Sequence, residues 1–238
     1  MSLVAERALS AREFLDECTA FKRDHVPRGK FLRGMVAGTV SVAQLRVWAK
    51  DFYYYVEPAI PTIAAWLASA PTLPDRTVYQ LIARNLAGEM GYIKEAEHHE
   101  LYLQFCAGLD ISRADLLDHL PLSSTIGAAS AMGYYCRNSF AEGLGAFGLA
   151  VEMDVPGRPN GAQVIYEALK RHYQLDEATL EFWAIHVAAE EEHGENAVAA
   201  LERCGQTRDQ QALIRRAFRF SVLAHAGMTD GYDHFLHE

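Results

Sequence analysis

The chain has 238 residues, half of them hydrophobic and 22% charged, with a formal net charge of −9. That length allows one large domain with a substantial core, and we expect residues 1–238 to form it. The absence of a basic stripe argues against nucleic-acid binding. No charge-free apolar run reaches about 18 residues, no secretion signal opens the chain, and the four cysteines form no C-x-x-C pair. We therefore expect a cytoplasmic protein that is not embedded in a membrane.

Helical periodicity dominates the chain, and almost nothing alternates with the period of a strand. Ser10 precedes Glu13 by three residues, which is the pattern of a capping box, and Ser41 and Ser112 are further candidate N-caps. We predict a single all-α domain, a bundle of seven to eight helices. The predicted helices cover about 11–24, 42–69, 75–107, 113–119, 123–153, 162–174, 177–204 and 207–236.

The stretch His186-Val-Ala-Ala-Glu190-Glu-Glu-His193 carries the strongest chemical signal. On a helix, positions i, i+4 and i+7 lie within about 60° of one another, so both imidazoles and the Glu190 carboxylate share one face. Imidazole and carboxylate together are typical ligands of iron, manganese or zinc. The stretch therefore predicts half of a metal site.

Glu89 and two neighbouring histidines are candidate partners for that face. His98 lies nine residues after Glu89, which is about half a turn away on an unbroken helix, whereas His99 lies about 80° away. Gly91 and the residues after it offer a break that can bring both side chains inward. Helical geometry alone does not choose between His98 and His99.

Glu152 ends the apolar stretch that begins at Gly143. A carboxylate in such surroundings is costly unless it is neutral, hydrogen-bonded or bound to a metal. Gly145, Ala146 and Gly148 permit close helix packing around it. Three carboxylates and three histidines can hold two metal ions, as in helix-bundle di-iron proteins. The candidate ligands are Glu89, His98, Glu152, His186, Glu190 and His193.

In these residues the chain resembles the haem-oxygenase-like di-iron oxidases, a family that shares the fold of pyrroloquinoline-quinone synthase and thiaminase II. The resemblance covers roughly residues 40–200 and favours His98 over His99. It implies two Fe(II) ions, or manganese, with O2 as co-substrate. The family pattern Asn-x3-Glu, His-x-x-Leu-aromatic, Glu-x3-Pro and His-x3-Asp/Glu-x2-His reads here as Asn85 and Glu89, His98 with Leu101 and Tyr102, Glu152 with Pro156, and His186, Glu190 and His193.

Two departures from the family pattern narrow the interpretation. Glu190 stands where Asp is more usual, which changes the reach of that carboxylate. The chain also resembles the chlamydial death-domain-associated branch, which consumes its own tyrosine and carries a lysine soon after Glu-x3-Pro. Here residues 157–169 contain no lysine, so we expect an external substrate.

A further group of residues is predicted to bind that substrate. Arg137 can clamp a carboxylate bidentately, or instead form a salt bridge with Glu57 or Asp51. Glu57 is also a candidate extra metal ligand or a partner of one. Cys136 is expected to be a buried thiol rather than a nucleophile. The candidate substrate-binding residues are Phe52, Tyr55, Tyr134 and Arg137.

The resemblance implies an O2-activating di-iron oxidase or oxygenase that acts on a small amino-acid-derived or carboxylate substrate in natural-product biosynthesis. The expected reactions are N-oxygenation or oxidative cleavage of a C–C or C–N bond, supported by an external electron donor. Two alternatives remain, a metal-free relative that uses acid–base groups and a non-catalytic interaction protein. A homodimer is plausible for this fold.

Overall fold

The computed structural model describes residues 7–26, 29–72, 76–93 and 96–237, without the side chains of 188–192. Within these ranges the chain is helical and contains no strand, which confirms the predicted all-α class. The α-helices are α1 (Ala11–His25), α2 (Lys30–Val36), α3 (Val42–Val56), α4 (Ala59–Ala68), α5 (Thr77–Glu89), α6 (His98–Gly108), α7 (Arg113–Asp118), α8 (Ser123–Asn138), α9 (Phe140–Gly143), α10 (Gly161–His172), α11 (Glu177–Cys204) and α12 (Arg208–Gly231), with a π-helix (Leu144–Glu152) after α9 and a 3-10 helix (Tyr232–His237) after α12.

The three predicted N-caps, Ser10, Ser41 and Ser112, are confirmed. Ser10, Ser41 and Ser112 each accept a hydrogen bond from the backbone N–H three residues later, and each belongs to a complete capping box. These side chains satisfy backbone donors that have no partner inside the helix. They fix the starts of α1, α3 and α7.

Two predicted helices are broken, which is why the chain has more helices than expected. Pro58 separates α3 from α4, because its ring lacks the N–H that an uninterrupted helix needs and clashes with the preceding turn. Gly91 follows α5 with φ of +73°, a left-handed conformation that ends helices and suits glycine. The predicted break near Gly91 is therefore confirmed.

The region predicted as one helix over 123–153 is also divided. Ser139 is extended, with φ of −159° and ψ of 160°, and its hydroxyl accepts from the Glu142 backbone N–H at 3.2 Å, so it ends α8 and caps α9. The π-helix follows and ends on Glu152. Such wide helical segments are rare and frequently occur at functional sites. The short α2 was not predicted.

Two large hydrophobic clusters form the core. Trp48, Tyr102 and Trp183 belong to the first cluster, and Trp66 and Phe218 belong to the second. Each fully buried apolar side chain contributes about 1.5–3 kcal/mol.

The π-helix packs tightly against α12 in the second cluster. A Cβ added at Gly145 would lie 2.2 Å from the Ile214 carbonyl oxygen, and one at Gly148 would lie 3.0 Å from the Trp66 ring. The predicted close packing around these small residues is confirmed. No described helix is both long and apolar enough to cross a lipid bilayer.

An ion-pair network joins α1 to α12. Glu17 accepts hydrogen bonds from Arg215 at 2.8 and 2.9 Å and from Arg219 at 2.7 Å. Burial raises the pKa of Glu17, but the two arginines lower it by more, so the net pKa lies below its ordinary value. The network therefore stabilises the fold at pH values above the unfolded-state pKa of Glu17. This contribution is lost as the pH falls through the folded-state pKa of Glu17.

Glu17→Gln is expected to lower the melting temperature by about 2–4 °C at pH 7, because a partly exposed network of this kind contributes about 1 kcal/mol. The difference should shrink below pH 4.5, the ordinary pKa of a glutamate, as the wild-type carboxyl becomes protonated. Thermal melts of both proteins between pH 3 and 7 measure this. A difference that stays constant across the range would show that the charge of Glu17 is not responsible.

Candidate metal centre

Four of the six candidate ligands, Glu89, His98, Glu152 and His186, line a cavity of about 340 Å³ between the two hydrophobic clusters. This volume is at the small end of the range for small-molecule sites. Trp48 and Trp183 of the first cluster line the cavity together with Met132 and Phe147 of the second. Its walls are mostly apolar, and polar side chains are concentrated where Glu89, His98, Glu152 and His186 meet.

Glu89, His98 and His186 form the centre of this polar group. Each offers one ligand atom, and these atoms lie within 4.8 Å of one another. Ligand atoms at about 2.0–2.2 Å from a transition-metal ion lie at most about 4.4 Å apart. A modest side-chain rotation therefore suffices to bring all three onto one ion.

The break after α5 explains why Glu89 and His98 meet. Glu89 is the last residue of α5 and His98 is the first residue of α6, so the loop between them reverses the chain. Glu89 Oε2 lies 2.9 Å from His98 Nδ1. That nitrogen is buried, yet the carboxylate is not aligned for a hydrogen bond, and no other described group satisfies it. A buried imidazole nitrogen without a hydrogen-bond partner is a suitable ligand for a metal ion.

The contacts of Asn85 explain why the Asn-x3-Glu pattern begins with an asparagine. It is buried one turn before Glu89, and its Oδ1 accepts a hydrogen bond from Asn196 Nδ2 at 2.6 Å. Asn196 lies on α11 three residues after His193. The amide pair therefore ties the end of α5 to the helix that carries both His186 and His193.

Glu152 and His193 lie next to this first group. His193 Nδ1 is 3.1 Å from Glu152 Oε2 and 3.7 Å from Glu89 Oε1. His193 thus contacts both carboxylates. Glu152 ends the π-helix, and the next carbonyl, that of Met153, accepts a hydrogen bond from Lys22 Nζ at 2.5 Å. This contact with α1 anchors the backbone beside the carboxylate.

His186 is held in a form suited to metal binding. Its Nδ1 lies 2.7 Å from the Phe182 carbonyl oxygen. Because a carbonyl only accepts, Nδ1 carries the proton. Burial lowers the pKa of His186, so the ring is neutral near pH 7 and Nε2 carries a lone pair. A backbone hydrogen bond that fixes the tautomer in this way is usual for metal-binding histidines.

Glu89 is poised as a carboxylate. Burial raises its pKa, but the neighbouring imidazoles, His98 above all, lower the pKa by more, and the net value lies below that of an ordinary glutamate. An ionised carboxylate among imidazoles is the donor set that ferrous iron accepts.

The structure brings five of the six candidate ligands together. The sixth, Glu190, lies on α11, but its side chain is outside the described residues. His98 is 3% exposed and belongs to the group. His99 lines the cavity elsewhere, with Nε2 3.5 Å from the Tyr53 hydroxyl. The geometry therefore agrees with the choice of His98.

The predicted substrate-binding residues divide into two sets. Phe52 and Tyr55 line the cavity. Tyr134 is 60% exposed and lies with Arg137 in a separate open groove on the surface, so the structure does not bring these two side chains to the cavity. The exposed outer side of α8 carries these two side chains. Arg137 donates to the Gly133 carbonyl at 3.0 Å instead of pairing with Glu57 or Asp51.

Glu57 does not lie at the cavity. It is exposed at the end of α3, next to the Pro58 break, so the structure does not bring it to the candidate ligands. Asp51 is buried and accepts hydrogen bonds from Thr125 and from the Leu122 backbone N–H at 2.7 Å. It is a structural carboxylate.

Sequence reasoning missed His225. It lies on α12 and lines the cavity, and its Nε2 is 2.5 Å from the Tyr55 hydroxyl. A single imidazole within the apolar stretch Ser221–Met228 is a signal of the same kind as Glu152. It was not recognised because no spacing pattern connects it with the other ligands.

Solved structures with the same arrangement of helices define the class of fold. A TenA homologue from Pseudomonas syringae pv. tomato has a TM-score of 0.74 at 16% identity, over 97% of this chain and 96% of that chain. A domain with a haem-oxygenase-like fold from Shewanella denitrificans has a TM-score of 0.74 at 16% identity, over 94% and 92%. A CADD-like protein of unknown function from Nostoc punctiforme has a TM-score of 0.75 at 14% identity, over 94% and 97%. The fold is therefore haem-oxygenase-like.

A family model described as iron-containing redox enzyme matches residues 46–226. The match covers most of the chain, so this chain belongs to that family of iron-containing redox enzymes. No curated protein matches it by sequence.

Proposed function

We propose that this protein is a non-haem di-iron enzyme that uses O2 to oxidise a small carboxylate or amino-acid-derived substrate. One observation carries the proposal: a Glu–His group lies at an apolar cavity in a chain of the iron-containing redox family. The proposed ligands are Glu89, His98, Glu152, His186, Glu190 and His193. When bound, iron supplies the electrons that O2 needs.

Different side chains would hold the two ions. Glu89 lies between His98, at 2.9 Å, and His193, at 3.7 Å. Its two oxygens therefore face different histidines, so Glu89 would help to hold both ions. Glu152 lies 3.1 Å from His193 and would hold an ion together with it. Together with the proposed ligand Glu190, these two carboxylates would offset three of the four positive charges of two divalent ions.

The cavity walls provide the conditions for oxidation chemistry. Phe52, Trp48 and Trp183 stack on one another with ring centroids 5.5–5.7 Å apart. Apolar walls exclude water from the substrate and from the reacting centre, which limits side reactions. We infer that the substrate is a small, largely apolar molecule, in natural-product biosynthesis or a comparable pathway, and that a separate electron donor re-reduces the iron.

A metal-free, hydrolytic function in the manner of the thiaminase-type relatives is the competing hypothesis. A cysteine nucleophile would need an accessible thiolate. Cys136 is fully buried, and burial raises the pKa of its thiol to about 12. It is therefore an inert core residue, as the sequence analysis expected. The remaining version of that hypothesis uses the carboxylates and histidines as acid–base groups.

Oxygen consumption distinguishes the two. Protein loaded anaerobically with Fe(II) is expected to consume O2 in a burst on mixing, whereas protein loaded with redox-inactive Zn(II) is not. The electrode trace of Fe(II) in buffer alone serves as the baseline. Burst amplitudes that do not exceed this baseline would refute the di-iron proposal and favour the metal-free one.

A further inference from the structure

One side of α12 forms an exposed stripe along the surface of the protein. From residue 213 to the end of the helix, the exposed residues recur at alternating spacings of three and four. At about 100° per residue, they lie within about 100° of one another on one side of the helix. This is the heptad spacing by which two helices pack along a seam. The α12 stripe consists of Leu213, Arg216, Phe220, Leu223, Gly227 and Asp230.

The middle of the α12 stripe is apolar and accessible. Leu213, Phe220 and Leu223 are each between 40% and 50% exposed. Arg216 places its guanidinium over the Phe220 ring, 6.0 Å from the ring centroid, so its methylene groups extend the apolar surface. Nothing lies within 4 Å of a Cβ added at Gly227, which leaves room for a second helix to approach closely. The stripe therefore suits a helix with the same spacing.

The charges of the α12 stripe indicate which helix fits it. Arg216 and Asp230 are 14 residues apart on one side of α12. That separation is about 21 Å along the axis, too far for the two side chains to pair within one chain. A second copy of α12 that runs antiparallel brings Arg216 of each chain close to Asp230 of the other, and two-fold symmetry forms both pairs at once. The same arrangement places Phe220 of each chain against Leu223 of the other.

The net charge of the α12 stripe also fits a second copy. The whole chain has a formal net charge of −9, so two copies repel each other over most of their surfaces. Within the stripe, Arg216 and Asp230 balance each other. The stripe therefore adds no repulsion between two acidic chains, and its unlike charges align them in one direction.

We propose that the α12 stripe is an interface between two copies of this chain, packed antiparallel about a two-fold axis that passes close to Phe220 and Leu223. The interface contains no candidate metal ligand, so its formation does not depend on iron. His225 lies about half a turn from the stripe and lines the cavity. The helix that joins the two copies therefore also forms a wall of the cavity in each of them.

Sedimentation equilibrium of the full chain, from about 1 to 100 µM, tests this interface. The wild type is expected to associate as a dimer. Leu223→Arg should weaken the association at least about thirtyfold, because the substitution buries a charge in the centre of the seam and occurs twice at a two-fold axis. Leu117→Arg is the matched control, since Leu117 is an exposed leucine on α7, outside the stripe. It should associate as the wild type does.

Exchange of the two charges tests the antiparallel arrangement. Arg216→Asp places two carboxylates together at each end of the seam, and Asp230→Arg places two guanidinium groups there. Each substitution alone is expected to weaken the dimer about tenfold. The double variant Arg216→Asp/Asp230→Arg restores both pairs, so its association should return to within about threefold of the wild type. Thermal melts check the fold of each variant, and these exposed substitutions should change the melting temperature little.

A wild type that stays monomeric over the whole concentration range overturns the proposal and leaves the stripe for a different protein. A dimer that persists in Leu223→Arg, or that Leu117→Arg weakens equally, places the interface on another surface. A double variant that associates as weakly as the two single variants shows that Arg216 and Asp230 do not face each other, which also overturns the proposal.

Discussion

Glu89→Gln is expected to lower the affinity for Fe(II) by about a hundredfold or more. Loss of a residue that only supports a ligand typically lowers the metal affinity about 10–100-fold, and Glu89 is itself a proposed ligand. The substitution keeps the length of the side chain but removes the charge and one acceptor oxygen. Glu89 lies 2.9 Å from His98 Nδ1 and 3.7 Å from His193 Nδ1. Its loss should therefore impair both metal positions.

Anaerobic Fe(II) titration measures this effect, and thermal melts of the metal-free proteins check the fold. We expect the metal-free variant to melt within about 4 °C of the wild type, since Gln fills the same volume. Glu100→Gln is the matched control, because Glu100 lies on the neighbouring helix α6 with a side chain that is 53% exposed. Unchanged iron affinity in Glu89→Gln would remove Glu89 from the site.

Gly194→Ala is expected to weaken iron binding by about tenfold or more, although it touches no ligand atom. Gly194 follows His193 on α11, and a Cβ there would lie 2.9 Å from the backbone oxygen of Glu152. Backbone cannot rotate away as a side chain can, so α11 and the end of the π-helix must separate. Overpacking of this kind typically costs about 1–3 kcal/mol.

Gly227→Ala is the matched control for this prediction. Gly227 lies in α12, and nothing lies within 4 Å of an added Cβ. Alanine there should stabilise the helix by about 0.5–1 kcal/mol and leave iron binding unchanged. Iron titration and thermal melting of both variants provide the comparison. Equal iron affinity in the two variants would show that the spacing between Glu152 and His193 is not critical.

The elements that the sequence predicted well are those whose signals are local. Capping residues placed the starts of α1 and α3, and Gly91 placed the break that lets Glu89 meet His98. The order of the Glu and His residues then predicted a candidate site whose members lie on four separate segments. These features depend on neighbouring residues or on a family pattern, and both can be read from the sequence alone.

The features that the sequence did not predict depend on packing between distant segments. The π-helix exists where Gly145 lets the chain approach Ile214 closely, and no local propensity specifies that contact. Tyr134 and Arg137 face outward because α8 lies against α12 and α3 in one particular rotation, which its sequence of small residues does not fix. His225 reaches Tyr55 across 170 residues.

Anomalous scattering at the iron edge, from crystals of the full chain soaked anaerobically with Fe(II), tests the central claim most directly. The account predicts two iron peaks per chain at the cavity, within coordination distance of Glu89, Glu152 and the three histidines His98, His186 and His193, and it predicts contact with Glu190. The absence of iron from the cavity, or iron bound only at the protein surface, would contradict it.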